Sequence, residues 1–144
     1  MLDNFHQYLA RQCAVGREKF GPGHRSLGVQ EHIRSEFDEI NSAETNTEKV
    51  AEWTDVVILA MDGLLRSTRE LLRERLEGQG ATGPVADQSG RIIGHNGEPT
   101  NDVIAAVALS AILEKQGKNE LRDFGDWRGH PEDKLMQHTP GDHD

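Results

Sequence analysis

Glu36 and Glu39 stand three residues apart, and Glu52 and Asp55 repeat that spacing. On a helix, three residues bring a side chain back to nearly the same face, so each pair presents two carboxylates side by side. Two such helices packed antiparallel would gather all four. Like charges held together repel and lose hydration, and a bound hard cation is the usual means of keeping them ionised. The pattern therefore points to a magnesium-type site. Spacing alone is weak support, because Glu74/Glu77, Glu120/Asp123 and Asp123/Asp126 share it in this acidic chain. The surroundings of Asp55 add to it. Val56 to Met61 follow without a polar residue, so the helix reads as buried, and a buried carboxylate needs a partner. At about 100° per residue, Asp62 falls close to the angle of Asp55 two turns on and extends the acidic stripe. A solvated acidic face is the alternative, and it suits Glu36 and Glu39 better than Asp55.

The elements that would carry these residues follow from periodicity. Residues 2–19 read as a first helix with Phe5, Tyr8 or Leu9, Cys13 and Val15 on its apolar side, and Gly21-Pro22-Gly23 ends it. That turn serves chain reversal or brings backbone amides to a phosphate, with His24 and Arg25 next to it. Residues 27–40 form the second helix, phased by Leu27, His32 or Ile33, Phe37 and Ile40. His32 lies one turn before Glu36 on the same face; a lone histidine there reads as packed or solvated rather than as a ligand. Thr45 or Thr47 would cap a third helix over 48–77, and Thr45 with Glu48 has capping-box spacing. At about 45 Å that helix is long for a domain of this size, and Gly63 is the expected place for a kink or break. Its second half reads as amphipathic, with Leu64, Leu65, Thr68, Leu71, Leu72 and Leu76 inward and Arg and Glu outward.

Residues 78–99 are rich in glycine, and Arg91 to Ile93 between turns suggest a short hairpin or an ordered loop. The GHNGE segment lacks the Lys-Ser/Thr of a P-loop. Thr100 or Asn101 would cap a fourth helix packed through Val103, Val107, Ser110 or Ala111, and Ile112 or Leu113. Lys115, Lys118 and Asn119 close it, where they either solvate the terminus or supply charge and hydrogen bonds to phosphate oxygens. Beyond it, Trp127 is expected to pack on the bundle or to stack on a base. His130, His138 and His143 are too irregularly spaced for zinc and read as solvated.

Bulk properties narrow the classes. A chain of 144 residues suits one domain, and with 35% hydrophobic and 5% aromatic residues its core must be modest and aliphatic. Helix pairing between subunits would bury more. The net charge of −9 disfavours a nucleic-acid polymer or an anionic membrane as partner. A single cysteine, Cys13, excludes an internal disulfide and fits a reducing cytoplasm. No apolar run is long enough to span a bilayer.

The blocks FGPGHRSLGVQEHIRSEFDEI, EWTDVVILAMDGLLR and ILEKQGKNELRDFGDW together resemble the MazG-like all-α nucleoside triphosphate pyrophosphohydrolases, in particular the dATP/dGTP pyrophosphohydrolase branch that includes the phage MazZ group. EFDE, twelve residues, then EWTD is similar to the ExxE-x12-ExxD signature. The resemblance implies an all-α bundle of four to five helices over residues 1–128, with 78–99 as an insertion and 129–144 as a partly ordered tail. It implies two or three Mg²⁺ or Mn²⁺ ions held by Glu36, Glu39, Glu52 and Asp55, with Glu36 or Glu39 handling the attacking water. Lys115, Lys118, Asn119 and Arg25 would face the substrate, with Asp62 and Trp127 as further candidates. The implied reaction is hydrolysis of dGTP or dATP to the monophosphate and pyrophosphate by a cytoplasmic homodimer or homotetramer, remodelling a phage nucleotide pool. The alternatives are housecleaning of dCTP, dUTP or non-canonical nucleotides, and a non-catalytic helical metal-binding protein. A ferritin-like di-iron centre is disfavoured, since neither pair has the Glu-x-x-His form.

Overall fold

The computed structural model describes residues 4–77 and 82–138, and places among them four α-helices and three short strands. The chain falls into two compact units divided between Leu109 and Ser110. No helix among the described residues is long and apolar enough to cross a membrane.

In the first unit, α1 (Phe5–Phe20) begins where the Asn4 side chain accepts the Gln7 amide at 2.8 Å. Gly21, at φ 84° and ψ 167°, takes an extended positive-φ conformation that glycine adopts readily, and the helix stops there. The chain reverses, and α2 (Ser26–Ser42) runs back. A three-residue connector, Ala43 to Thr45, leads into α3 (Asn46–Glu77). The expected capping box is present: the Glu48 amide donates to Thr45 Oγ1 at 3.1 Å, and Glu48 Oε2 accepts from the amides of Glu44 and Thr45. The α2 helix packs most extensively along α3, and α1 and the sheet also rest on α3.

Three readings of these helices are corrected. The α3 helix continues through Gly63 for 32 residues without a break; one internal glycine costs about 1 kcal/mol, which its packed neighbours outweigh. The face that α2 buries centres on Val29 and Glu36, while Leu27 and Phe37 are exposed. Asp55's half of α3 is not buried either: Val50, Trp53, Val57 and Ile58 are exposed. Apolar character alone does not bury this segment: α2 packs along α3, yet these side chains stay exposed.

Arginines on α3 also depart from the expected outward orientation. Arg66 and Arg69 are buried, and so is Asp62. Arg66 Nε donates to both Asp62 oxygens at 3.0–3.1 Å, while its other nitrogens donate to the carbonyls of Gly16, Gly21 and Gly23. Arg69 grips Glu98 with two parallel bonds of 3.0 and 2.7 Å and donates to the Pro22 carbonyl at 2.6 Å. Burial of charge is tolerable here because every charge has a partner. These bonds make Gly21-Pro22-Gly23 a pinned reversal whose carbonyls face arginines.

Residues 82–99 form a small antiparallel sheet of β1 (Pro84–Ala86), β2 (Ile92–His95) and β3 (Glu98–Pro99), so the protein is mostly helical rather than all-α. The turn into β2 is held by Asp87, whose Oδ1 accepts from Ser89 and Arg91. The second turn has Asn96 and Gly97 both at positive φ, 51° and 81°, which is the type I′ geometry of two-residue hairpins. Gly94 lets β2 pass close to α3: a Cβ there would lie 2.8 Å from Leu76 Cδ1 and 2.9 Å from the Glu98 carbonyl oxygen. The insertion expected over 78–99 is thus an ordered sheet fastened to α3 through Glu98; its first four positions lie outside the described residues.

Thr100 caps α4 (Asn101–Leu121), its Oγ1 accepting the Val103 amide at 3.1 Å. Asn101 instead accepts from Cys13 and Arg17. The buried face is Ile104, Ala105 and Ala108, one step round from the expected face. The small alanines complete a core built from Leu9, Cys13, Val29, Leu65 and Leu76.

The second unit contains the last part of α4 and a 3₁₀ turn, Trp127–Gly129, capped by Asp126. Phe124 meets His138 edge-to-face at 5.9 Å, so His138 is packed rather than solvated. The rest of the expected tail, with His143, lies outside the described residues.

Candidate metal centre

Helix α2 contributes Glu36 and Glu39, and α3 contributes Glu52. Each offers an oxygen to a cluster whose members lie within 4.8 Å of one another. The arrangement follows from the local fold. A tight connector turns α3 back along α2, and the i, i+3 spacing puts both α2 acids on the side that meets Glu52.

Glu36 is the centre of the group. It is 6% exposed, and its Oε2 has no hydrogen-bond partner. Its Oε1 stands 3.3 Å from Nε2 of His32. The close approach of the Glu39 carboxyl, then burial, then the Glu52 carboxyl push its pKa up to about 7. Glu52 is raised as well, chiefly by Glu39 and by burial. Among the described residues, no lysine or arginine forms an ion pair with Glu36, Glu39, Glu52 or Asp55.

The group therefore lacks internal compensation. A buried carboxylate oxygen without a partner is costly, and the acids around it increase the cost. Hard carboxylate oxygens with open positions between them are the donor set that Mg²⁺ and Mn²⁺ prefer. The residues present fit such an ion.

Asp55 stands apart from the other three. It is exposed and outside the close group, although its charge raises the proton affinity of both Glu36 and Glu52. Asp62, expected as a continuation of the acidic stripe, is committed to Arg66 and is structural. Arg25 lies at the start of α2 with φ 51°, its guanidinium 5.2 Å above the Phe20 ring. In the second unit, Lys115, Lys118 and Asn119 are exposed; Lys118 reaches Glu114 at 3.7 Å, and Asn119 Oδ1 accepts from Arg122 at 2.7 Å. Trp127 does not pack: it is exposed, with the Arg128 guanidinium over its ring.

Two features escaped the sequence reading. The orphaned Glu36 oxygen depends on side-chain geometry and has no sequence signal. The apolar groove of about 450 Å³ lined by Val50, Trp53 and Val57 had one, since these recur at helical spacing. It runs along a different face of α3 from Glu52. Compared with known proteins, the chain matches no family model, no curated protein and no solved structure.

Proposed function

We propose that this protein is a metal-dependent nucleoside triphosphate pyrophosphohydrolase of MazG-like architecture, acting on purine deoxynucleotides such as dGTP and dATP. The observation that carries the reading is the buried, unpartnered Oε2 of Glu36 beside Glu39 and Glu52. The resemblance of three sequence blocks to that family supplies the reaction and substrate class.

In this reading Glu36, Glu39 and Glu52 hold Mg²⁺ or Mn²⁺, and Asp55 adds a fourth carboxylate at the rim. An ion held by these carboxylates would supply positive charge to the phosphates and make a water more acidic. The protein's own groups do the rest. Glu39 or Glu36 accepts the proton of the water that attacks the α-phosphorus, while the bond to the bridging oxygen breaks and pyrophosphate departs. The same resemblance assigns Lys115, Lys118 and Asn119 to the leaving group and Arg25 to the border of the nucleotide. The exposed stripe Val50, Trp53 and Val57 supports pairing of subunits.

The test is to incubate the protein with each of dGTP, dATP, dCTP and dTTP, with Mg²⁺, with Mn²⁺ and with EDTA, and to resolve products by anion exchange. Metal-dependent monophosphate and pyrophosphate, without diphosphate, is expected from the purines and lost in Glu39→Gln and Asp55→Asn. Turnover undiminished in both variants would remove the assignment. No product from any nucleotide would leave a metal-binding helical protein.

A further inference from the structure

We infer that His32 is a positioning residue for the cation site, pairing with Oε1 of Glu36 and so fixing the carboxyl that stands beside Glu39 and Glu52. The inference rests on the metal-centre reading and deepens it.

His32 and Glu36 are one turn apart on α2, and Nε2 lies 3.3 Å from Oε1. The two ends of this contact differ sharply in environment. The imidazole is more than half exposed, whereas the Glu36 side chain is 8% exposed. Its two oxygens therefore have separate tasks. Oε1 meets the imidazole at the solvent side, and Oε2 is buried with no partner.

The terminal torsion of glutamate is broad and roughly two-fold, so packing alone fixes a carboxyl poorly. An imidazole paired with one oxygen at 3.3 Å limits that freedom. His32 Nε2 is not among the atoms that lie within 4.8 Å of one another, so the ring acts through Glu36. Outer-shell donors of this sort typically contribute 10–100-fold to metal affinity. The ring's exposure means that little packing is lost when it is removed.

The experiment is a Mn²⁺ titration of the full chain, read by the electron paramagnetic resonance signal of free Mn²⁺, on the wild type, His32→Ala, His32→Gln and Glu36→Gln. His32→Ala is expected to weaken binding about tenfold to a hundredfold, and His32→Gln, whose amide can donate to Oε1, to return it to within a factor of about three. Thermal midpoints in EDTA should coincide for the wild type and both His32 variants. Wild-type affinity in His32→Ala would overturn the inference while leaving the metal centre standing. Equal weakness of the Ala and Gln variants would overturn the donor role. Absence of a saturable Mn²⁺ site in the wild type would instead remove the metal centre itself, and the role of His32 with it.

Discussion

Lowering the pH should weaken Mn²⁺ binding by an amount fixed by Glu36. Its carboxyl holds a proton up to about pH 7 because the Glu39 carboxyl crowds it, burial desolvates it and the Glu52 carboxyl lies close as well. A cation must displace that proton. With one proton of pKa about 7 competing, the apparent dissociation constant scales as one plus the ratio of proton concentration to the acid constant. That factor is about 11 at pH 6 and about 1.1 at pH 8, so binding should weaken about tenfold across the interval. Glu52 shifts in the same direction and makes the dependence steeper. Calorimetric titration at several pH values, in buffers of different ionisation enthalpy, reads both quantities. About half a proton should be released per ion at pH 7 from Glu36 alone. Glu36→Gln should bind more weakly and lose the Glu36 share of the pH dependence. Affinity constant from pH 6 to 8 in the wild type, with no proton release, would refute the reasoning.

Metal-free stability should show the same group from the other side. The folded pKa of Glu36 is raised above its ordinary 4.5, so its contribution is intact below that value and is lost as pH rises through about 7. The thermal midpoint in EDTA should thus decline over that window, and Glu36→Gln should flatten the decline. Arg66→Met strands Asp62 without its partner and three carbonyls without their donor, and should cost about 3–5 kcal/mol. That corresponds to roughly 10–20 °C in a melting curve, and adding Asp62→Leu should recover much of it. Gly94→Ala forces a methyl against Leu76 and the Glu98 carbonyl, and should lower stability by about 1–3 kcal/mol. Mn²⁺ affinity should not change in this variant, because Leu76 lies about 36 Å along α3 from Glu52; scanning fluorimetry and the Mn²⁺ titration together check this.

What the sequence disclosed about the fold tracks how local the responsible interaction is. The Glu36–Glu39 pair, the Thr45–Glu48 box and the reversal at residues 21–23 depend on neighbours within a few positions, and the structure contains each of them. The burial of Arg66 and Arg69 depends on carbonyls some fifty residues earlier and on Glu98 some thirty residues later. Such partners leave no mark on helical periodicity, so the arginines looked outward. The phase of α2 was misplaced for a related reason: Glu36 occupies the inward face that an apolar residue was expected to fill. Arg91 to Ile93 between turns, by contrast, read as a hairpin or ordered loop, and the structure closes a hairpin there with Asn96 and Gly97 at positive φ. For the candidate site, spacing identified Glu36, Glu39 and Glu52. It did not separate them from Asp55, because 3.6-residue periodicity fixes direction but not how closely side-chain ends approach.

The short connector between α2 and α3 has a kinetic consequence. Glu39 and Glu52 are separated by only twelve residues, so the carboxylates are brought together by a local helical hairpin of the kind that forms quickly. Their mutual repulsion then arises on the way to the native state as well as within it. A divalent ion present during refolding would relieve that repulsion in the transition state and speed folding, whereas ions that act only on the finished fold would merely slow its unfolding.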